Sequence, residues 1–233
     1  MIRKISVLFV ALVAFVCVAW YLGWWVPNRP DPDKYPISGI DVSHHNGPVN
    51  WAKVKVSGVK FAFIKATEGS NWQDNRFQNN WSESKKAGVY RGAYHFFSTT
   101  SSGESQALNF ISNVPKEVGM LPPVIDVEFS KSRSRMSDAE FYEELKILQD
   151  AMESYYGVKP IIYTTREFLE NYFEGRMIDR LWAREIKTKV TDWAPDWVFW
   201  QYTNRGRVPG IRGRVDLNVY RKKLFDFEKL LLR

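Results

Sequence analysis

The sequence predicts an α/β fold, an irregular (β/α) barrel of the TIM type that follows an N-terminal transmembrane or signal segment. Three observations predict it. Eight short apolar runs alternate with amphipathic stretches, and most of the runs end in a polar or aromatic side chain. Such alternation is typical of parallel sheets, whose strands carry function at their carboxyl ends. After the N-terminal segment and a linker, about 195 of the 233 residues remain, which suits one barrel.

Residues 1–26 have the composition of a membrane anchor. Arg3 and Lys4 precede an apolar run from Ile5 to Val26 that contains no charged residue. About 20 apolar residues are enough to span a bilayer. Because basic residues precede the run, we expect the rest of the chain to be exported, to the periplasm or the cell exterior.

A cleaved signal peptide, and hence a secreted protein, is the alternative to the anchor. Cys17 and Trp20 make a poor cleavage site, so we expect the segment to stay attached. Residues 27–37 contain four prolines and predict a stiff linker. The exported domain, residues 38–233, has no cysteine, which excludes a disulfide, a cysteine nucleophile and a cysteine metal ligand there.

The exported domain is predicted to contain eight strands and six helices. The strands are short runs rich in β-branched and aromatic residues, at Ser38–Ser43, Phe61–Thr67, Tyr90–Phe97, Pro123–Glu128, Pro160–Thr164, Leu181–Glu185, Val198–Tyr202 and Val215–Val219. The helical patterns lie at 51–57, 75–87, 103–113, 138–156, 166–173 and 221–231. The helix over 138–156 has the strongest signal, because Ser137 and Glu140 form a capping box. Short connections between the later strands predict an irregular barrel there.

The charge of the chain does not point to nucleic acid. Lys and Arg exceed Asp and Glu by seven, and the surplus is spread along the chain, with its densest run at 131–135 and more arginines at 205–214. No nucleic-acid motif accompanies it, so we expect no such partner. The chain is rich in Trp and Tyr, which can also stack on the apolar faces of sugar rings.

Asp126 and Glu128 are the most informative residues of the chain. They end one predicted strand, and because strand side chains alternate, both acids share a face with Val124 while their Cα atoms lie roughly 6.6 Å apart. Acid-catalysed cleavage of a glycosidic bond needs such a pair, with one carboxyl to protonate the leaving oxygen and another to stabilise charge. The alternative is a strand end whose acids cap a helix or pair with arginine.

Other predicted strands end in polar or amphipathic side chains that could meet at the same mouth. These are Asp41, Glu68, His95, Tyr163, Trp182, Gln201 and Asp216. If Asp41 and Asp216 face inward, the apolar residues that flank each of them face the helices, a pattern consistent with both acids pointing into the mouth. Four acids in one mouth raise the pKa of at least one of them, which a general acid at neutral pH requires.

Several short motifs occur in an order that resembles glycoside hydrolase family 25, the Chalaropsis-type lysozymes. They are Gly-Ile-Asp-Val-Ser at 39–43, Asn-Trp at 50–51, Phe-Ile-Lys-Ala-Thr-Glu-Gly at 63–69, Gly-Ala-Tyr-His-Phe at 92–96, Asp-Val-Glu at 126–128, Tyr163, Trp182, Trp-Gln-Tyr at 200–202 and Val-Asp-Leu-Asn at 215–218. Each motif is weak alone, but together they cover nearly the whole exported domain. The sequence His44-His45-Asn46-Gly47 departs from the pattern and leaves the nearest sugar subsite open.

The resemblance implies a modified barrel that hydrolyses the β-1,4 bond after N-acetylmuramic acid in peptidoglycan. It implies Glu128 as proton donor and Asp126 as the partner that orients the acetamido group or stabilises the positive intermediate. Asp41 and Asp216 would tune this acid pair. Sugar-binding positions are implied at Tyr94, His95, Tyr163, Trp182 and Gln201. For His95, a buried histidine with satisfied hydrogen bonds is an equal alternative, and for Glu68 we expect a structural pair with Lys65.

The expected partners are peptidoglycan strands and, through the N-terminal segment, a membrane; we expect a monomer without metal or cofactor. Two other functions remain open. A metal-dependent polysaccharide deacetylase could use Asp41, His44 and His45 with Asp216 or Asp126 as ligands. A non-catalytic wall-binding protein could use the same aromatic cleft. The spacing of the acids is compatible with retaining, inverting and substrate-assisted hydrolysis.

Overall fold

The computed structural model describes residues 2–128, 136–173 and 178–233, and in the first helix it describes side chains at 8–10 and from 12 onward. The predicted basic run at 131–135 lies outside these residues. In chain order the elements are α1 (Ile2–Tyr21), β1 (Ser38–Val42), a 3-10 turn (His44–Asn46), α2 (Trp51–Val56), β2 (Phe61–Glu68), β3 (Trp72–Gln73), α3 (Phe77–Lys86), β4 (Tyr90–Phe96), α4 (Gly103–Asn113), β5 (Val124–Val127), α5 (Asp138–Tyr156), β6 (Ile161–Thr165), α6 (Arg166–Tyr172), β7 (Leu181–Arg184), a second 3-10 turn (Val190–Asp192), β8 (Phe199–Gly206), β9 (Val215–Tyr220) and α7 (Leu224–Glu228).

Eight strands close into a barrel, which confirms the predicted α/β barrel. The order around the sheet is β1-β9-β8-β7-β6-β5-β4-β2, and parallel pairing of β1 with β2 closes it. β9 is antiparallel to both of its neighbours. The connection from β8 to β9 is too short for the crossover helix that a parallel pair needs. The irregularity that the short late connections predicted is therefore located at β9.

The barrel has an aromatic interior and an outer layer packed against the helices. Phe61, Phe63, Trp182 and Phe199 fill the inside, and the rings of Phe63 and Trp182 stack with their centroids 4.5 Å apart. The interior leaves no room at Gly39, where a Cβ atom would lie 2.4 Å from the Phe61 ring. This alternation of inward and outward side chains follows from the two-residue period of a strand.

The helices follow local sequence signals closely, with small differences at their ends. Ser137 accepts the first-turn N–H of Glu140, and the Glu140 side chain returns to Ser137, so the predicted capping box is confirmed. Gly157 ends α5 with a φ of 74°, in the left-handed region that glycine favours. The last helix is shorter than predicted. The sequence also did not predict β3, a two-residue strand that pairs with the end of β2.

The N-terminal segment forms α1, whose end contacts the β8–β9 hairpin. The Arg205 guanidinium lies 3.7 Å from the centre of the Trp20 ring, and Arg214 donates to the carbonyl of Tyr21 at 2.7 Å. The linker follows the barrel wall, where Asn28 donates to the carbonyl of Glu185 at 2.9 Å. Among the residues that the structure describes, no helix combines the length and apolarity that crossing a membrane needs. The membrane anchor and the division at 26 and 37 stay predictions.

Candidate active site

A cavity of about 290 Å³ opens at the carboxyl ends of the parallel strands. It is lined by Asp41, Ser43, His45, Tyr94, Asp126, Glu128, Tyr163, Trp182, Arg184, Gln201, Asn204 and Asp216. Eight of the nine predicted site residues are among them, and His95 is the exception. A larger groove of about 590 Å³ lies between α5 and the start of β7, and none of the predicted site residues lines it. We assign the site to the smaller cavity because it gathers four carboxyl groups at the functional end of a barrel.

The acids of β5 lie as strand alternation predicts. Ile125 and Val127 pack in the outer core, whereas Val124 belongs to the interior and Asp126 faces the cavity above it. Burial, and then the charge of Glu128, raise the pKa of Asp126 well above its usual range. Among the described residues, the Oδ1 atom of Asp126 has no hydrogen-bond partner, although it is buried. That oxygen is therefore free to accept a hydrogen bond from a ligand in the cavity.

Glu128 lies at the mouth of the cavity and is only half-buried. Burial is the largest influence on its carboxyl and raises its pKa. The charge of Asp216 acts in the same direction, whereas Arg184 and Lys65 oppose it. The carboxyl whose pKa is raised in this way is one that a ligand in the cavity can reach.

Asp41 and Asp216 form a second pair of carboxyls. They are direct neighbours in the β1–β9 register, and both face the cavity. The two carboxyl groups are close enough for each to influence the ionisation of the other. Burial, and then Asp216, raise the pKa of Asp41 well above normal. Burial also raises the pKa of Asp216, opposed by its hydrogen bond from Gln201.

A chain of buried hydrogen bonds holds these carboxyls in place. The Trp182 indole donates to Asn218 Oδ1 at 2.8 Å, and Asn218 Nδ2 donates to Asp41 Oδ2 at 2.7 Å. On the other side of the pair, Gln201 contacts Asp216, and Tyr163 donates its hydroxyl to Gln201 Oε1 at 2.6 Å. Trp182 is 2% exposed, so it forms the floor of the cavity and offers no open ring face to a sugar.

His95 does not line the cleft, and the expectation of a sugar-binding role for it is wrong. It is fully buried beneath α4, where its ring bonds to Thr67 Oγ1 at 2.7 Å and to Gln106 Oε1 at 3.1 Å. Burial lowers its pKa to about 4, so the ring is neutral at neutral pH. The reason is strand alternation, because Tyr94 faces the cavity and its neighbour must face the helices. The pairing of Glu68 with Lys65, at 2.7 Å, is confirmed.

The cavity also contains Arg184 and Asn204, which sequence reasoning did not single out, together with Ser43, named only within a motif, and His45, considered only as a metal ligand and as part of a departure from the family pattern. Arg184 could have been found, because it follows Trp182 by two residues on β7 and therefore shares its face. Asn218 was part of a motif, but its contact with Asp41 joins strands that are far apart in sequence. The sequence around Asn218 contains no pattern from which a contact with so distant a residue could be predicted.

The two adjacent histidines are arranged differently from metal ligands. His44 bonds through Nδ1 to the buried carboxylate of Asp74 at 2.9 Å, and its ring lies 3.9 Å from that of His45, which lines the cavity rim. Within the three described stretches of the chain, no group of three or more His, Cys, Asp and Glu side chains is placed to hold a metal ion. The ligand set that a deacetylase would need from Asp41, His44 and His45 is not assembled in this part of the molecule.

Comparison with known proteins identifies the relatives of the chain. The sequence model described as "Glycosyl hydrolases family 25" matches residues 40–211. Uncharacterized protein YegX of Escherichia coli K12 is 37% identical over 196 residues, covering 81% of this chain and 71% of YegX. Lysozyme M1 of Streptomyces globisporus is 36% identical over 205 residues, covering 81% and 69%. A solved family 25 glycosyl hydrolase from Bacillus anthracis superposes with a TM-score of 0.79 at 40% identity, covering 87% of this chain and 96% of that one.

Proposed function

The chain belongs to the glycosyl hydrolases of family 25 and is a peptidoglycan hydrolase, and we propose that it cuts the β-1,4 bond after N-acetylmuramic acid with Glu128 as proton donor. One observation carries the assignment of residues. Asp126 and Glu128 lie side by side in a cavity at the strand ends, and burial raises the pKa of both. A general acid and a second carboxyl are the two groups that this reaction class requires.

Accessibility, more than pKa, supports Glu128 as the donor. The pKa of Asp126 is raised further than that of Glu128, but Asp126 is only 8% exposed at the base of the cavity. Glu128 is half-buried at the mouth, where a bridging sugar oxygen can come within hydrogen-bond distance. Because proton transfer needs contact first and a suitable pKa second, we assign the donor role to Glu128.

The unpartnered Oδ1 atom of Asp126 supports a role in holding the substrate's 2-acetamido group. An amide N–H is the kind of donor that this oxygen lacks. Held in that way, the acetamido oxygen can attack the anomeric carbon while Glu128 protonates the leaving oxygen. Glu128 then deprotonates the water that opens the cyclic intermediate. We therefore favour the substrate-assisted route, in which Asp41 and Asp216 maintain the negative potential beneath the developing positive charge.

Replacement of Glu128 by Gln tests the proposal. It removes the proton to be donated and keeps the size of the side chain, so the release of reducing ends from purified peptidoglycan should fall by roughly 10²–10⁴-fold. Asp126→Asn should also lower turnover strongly. Glu170→Gln is the matched control, because Glu170 pairs with Arg166 on the surface of α6.

Two results would contradict the assignment. If Glu128→Gln stays near wild-type activity, the proton donor is another group. If the wild-type product carries N-acetylglucosamine instead of N-acetylmuramic acid at its reducing end, the bond assignment is wrong. Activity of Glu170→Gln close to wild type shows that the assay responds to the cavity and not to the loss of any one carboxylate.

We further propose that α1 retains the enzyme at a membrane on the exported side, where peptidoglycan lies. The proposal is supported by the side chains of α1 and of the turn that follows it. Leu8, Phe9 and Phe15 are each more than 60% exposed, and Trp24 and Trp25 more than 50%. Aromatic residues at the end of an apolar helix are typical of a membrane interface. Cell fractionation with mass spectrometry of the native N-terminus tests it, and a soluble protein that starts near Trp20 would contradict it.

A further inference from the structure

Arg184 brings a positive charge into a cavity that is otherwise acidic. It ends β7 between Thr165 of β6 and Gln201 of β8, and it points to the same side as Trp182. Among the described residues that line the cavity, it is the one lysine or arginine. Its position on a strand of the barrel, and not on a loop, fixes where the guanidinium can reach.

The guanidinium of Arg184 has no direct partner among the residues that the structure describes. Its charge opposes the rise in pKa of Asp126, Glu128 and Asp216, but none of the described carboxylates lies within ion-pair distance of it. It also makes no hydrogen bond to any residue that the structure describes. An arginine has five N–H donors in a planar fork that fits a carboxylate with two parallel bonds. The free N–H donors of the Arg184 guanidinium therefore favour a ligand with an anionic, planar group.

We propose that Arg184 binds the carboxylate of the 3-O-lactyl group of muramic acid, and that the enzyme thereby prefers glycan strands whose lactyl groups carry no peptide. This inference rests on the proposed function. The lactyl carboxylate is the one anionic group of the bare glycan repeat, and N-acetylglucosamine lacks it. In strands that carry stem peptides, the same carbon is a neutral amide.

The selection depends on the guanidinium and not on the acids of the cavity. Negative charge on those acids opposes an anionic ligand, and Arg184 is the cation that can offset this opposition by direct contact. A substrate without that carboxylate leaves the guanidinium unpaired in a partly buried site, which is unfavourable in its own right. Sites built to bind one charged or polar group reject analogues that lack it. The preferred substrate must therefore come from a hydrolysis that cleaves the amide bond between the lactyl group and the stem peptide.

The test compares two substrates that differ only at the lactyl group. One is a peptide-free glycan strand with free lactyl carboxylates, and the other is the same strand with these groups converted to methylamides. For the full-length enzyme, kcat/KM on the carboxylate substrate should exceed that on the methylamide by about 10- to 100-fold, the range of a charged hydrogen-bonded pair. In Arg184→Gln the ratio should fall to near one, and in Arg184→Lys to an intermediate value.

The ratio separates substrate binding from the effect of Arg184 on the catalytic acids. If Arg184 acts only on the acids, Arg184→Gln lowers both rates alike, shifts both pH profiles and leaves the ratio unchanged, and the inference is wrong. A wild-type ratio near one also overturns it. Arg180→Gln is the matched control, because Arg180 directly precedes the same strand, at the opposite end of the barrel, and should keep the wild-type ratio. If the wild type cleaves neither strand, the proposed function itself fails.

Discussion

Asp41→Asn should make the protein more stable at neutral and alkaline pH, although it replaces a residue of the candidate active site. In the folded protein, Asp41 faces Asp216 and accepts a hydrogen bond from Asn218. Asparagine can accept the same bond with its carbonyl and can donate its amide to Asp216. The variant therefore keeps these contacts and loses only the ability to ionise.

The direction of the effect follows from the raised pKa of Asp41. Its folded-state pKa lies above the unfolded value, so the stabilisation from its protonation is complete below the unfolded pKa, near 3.8, and is lost as the pH rises through the folded pKa. Two unit charges about 4 Å apart repel by about 4 kcal/mol at an effective dielectric constant of about 20. Screening by solvent in the cavity reduces this, so we expect about 1–3 kcal/mol of relative stabilisation at pH 8.

Urea unfolding at pH 4 and pH 8 measures this difference. The change in unfolding free energy caused by Asp41→Asn should be more favourable at pH 8 than at pH 4, with a melting temperature higher by about 2–4 °C per kcal/mol. Asp179→Asn is the matched control with the opposite sign, because the surface pair with Lys159 lowers the pKa of Asp179. That variant should lose a little stability at pH 8 and less toward acid pH. An equal effect of Asp41→Asn at both pH values would refute the reasoning.

Two further predictions concern the layer of the barrel outside the active site. The folded-state pKa of His95 is lowered from 6.5 to about 4, so the stabilisation from its neutral ring is present above pH 6.5 and lost as the pH falls through 4. Over this range the wild-type protein should lose about 3 kcal/mol of unfolding free energy that His95→Gln does not lose. Equal pH dependence of the two proteins would contradict the buried neutral histidine. Gly103→Ala should destabilise the fold by about 1–3 kcal/mol in urea unfolding, because its Cβ atom would lie 2.1 Å from the carbonyl oxygen of Glu144 on α5, and a variant as stable as wild type would show that α4 and α5 can separate freely.

Strand periodicity allowed much of the site to be predicted from sequence. The faces of Asp41, Asp126 and Asp216 follow from their apolar neighbours alone, because a strand alternates with a fixed period of two. The same rule argues against His95, since Tyr94 already occupies the inward position. The motif Gly-Ala-Tyr-His-Phe gave no means of choosing between the two, whereas the pairing of His95 with Gln106 of α4 decides it.

What the sequence could not supply are contacts whose partners are far apart along the chain. β3 has two residues, too few for a periodic signal, and it exists because it pairs with the end of β2. Asn218 reaches Asp41 across 177 positions of sequence. The antiparallel direction of β9 depends on a short hairpin whose strands must close the barrel with β1. These features are consequences of barrel closure, which no single segment encodes.

The aromatic interior of the barrel and the acids at its mouth form one structural unit. Phe63 stacks on Trp182, and the indole N–H of Trp182 holds Asn218, which in turn holds Asp41 against Asp216. Core side chains have few alternative positions because interiors are closely packed. The position of Asp41 beside Asp216 is thus fixed by the packing beneath it, and a change at Phe63 should alter the ionisation of the site without touching a carboxyl group. For this reason the four acids can remain close together although their repulsion opposes folding.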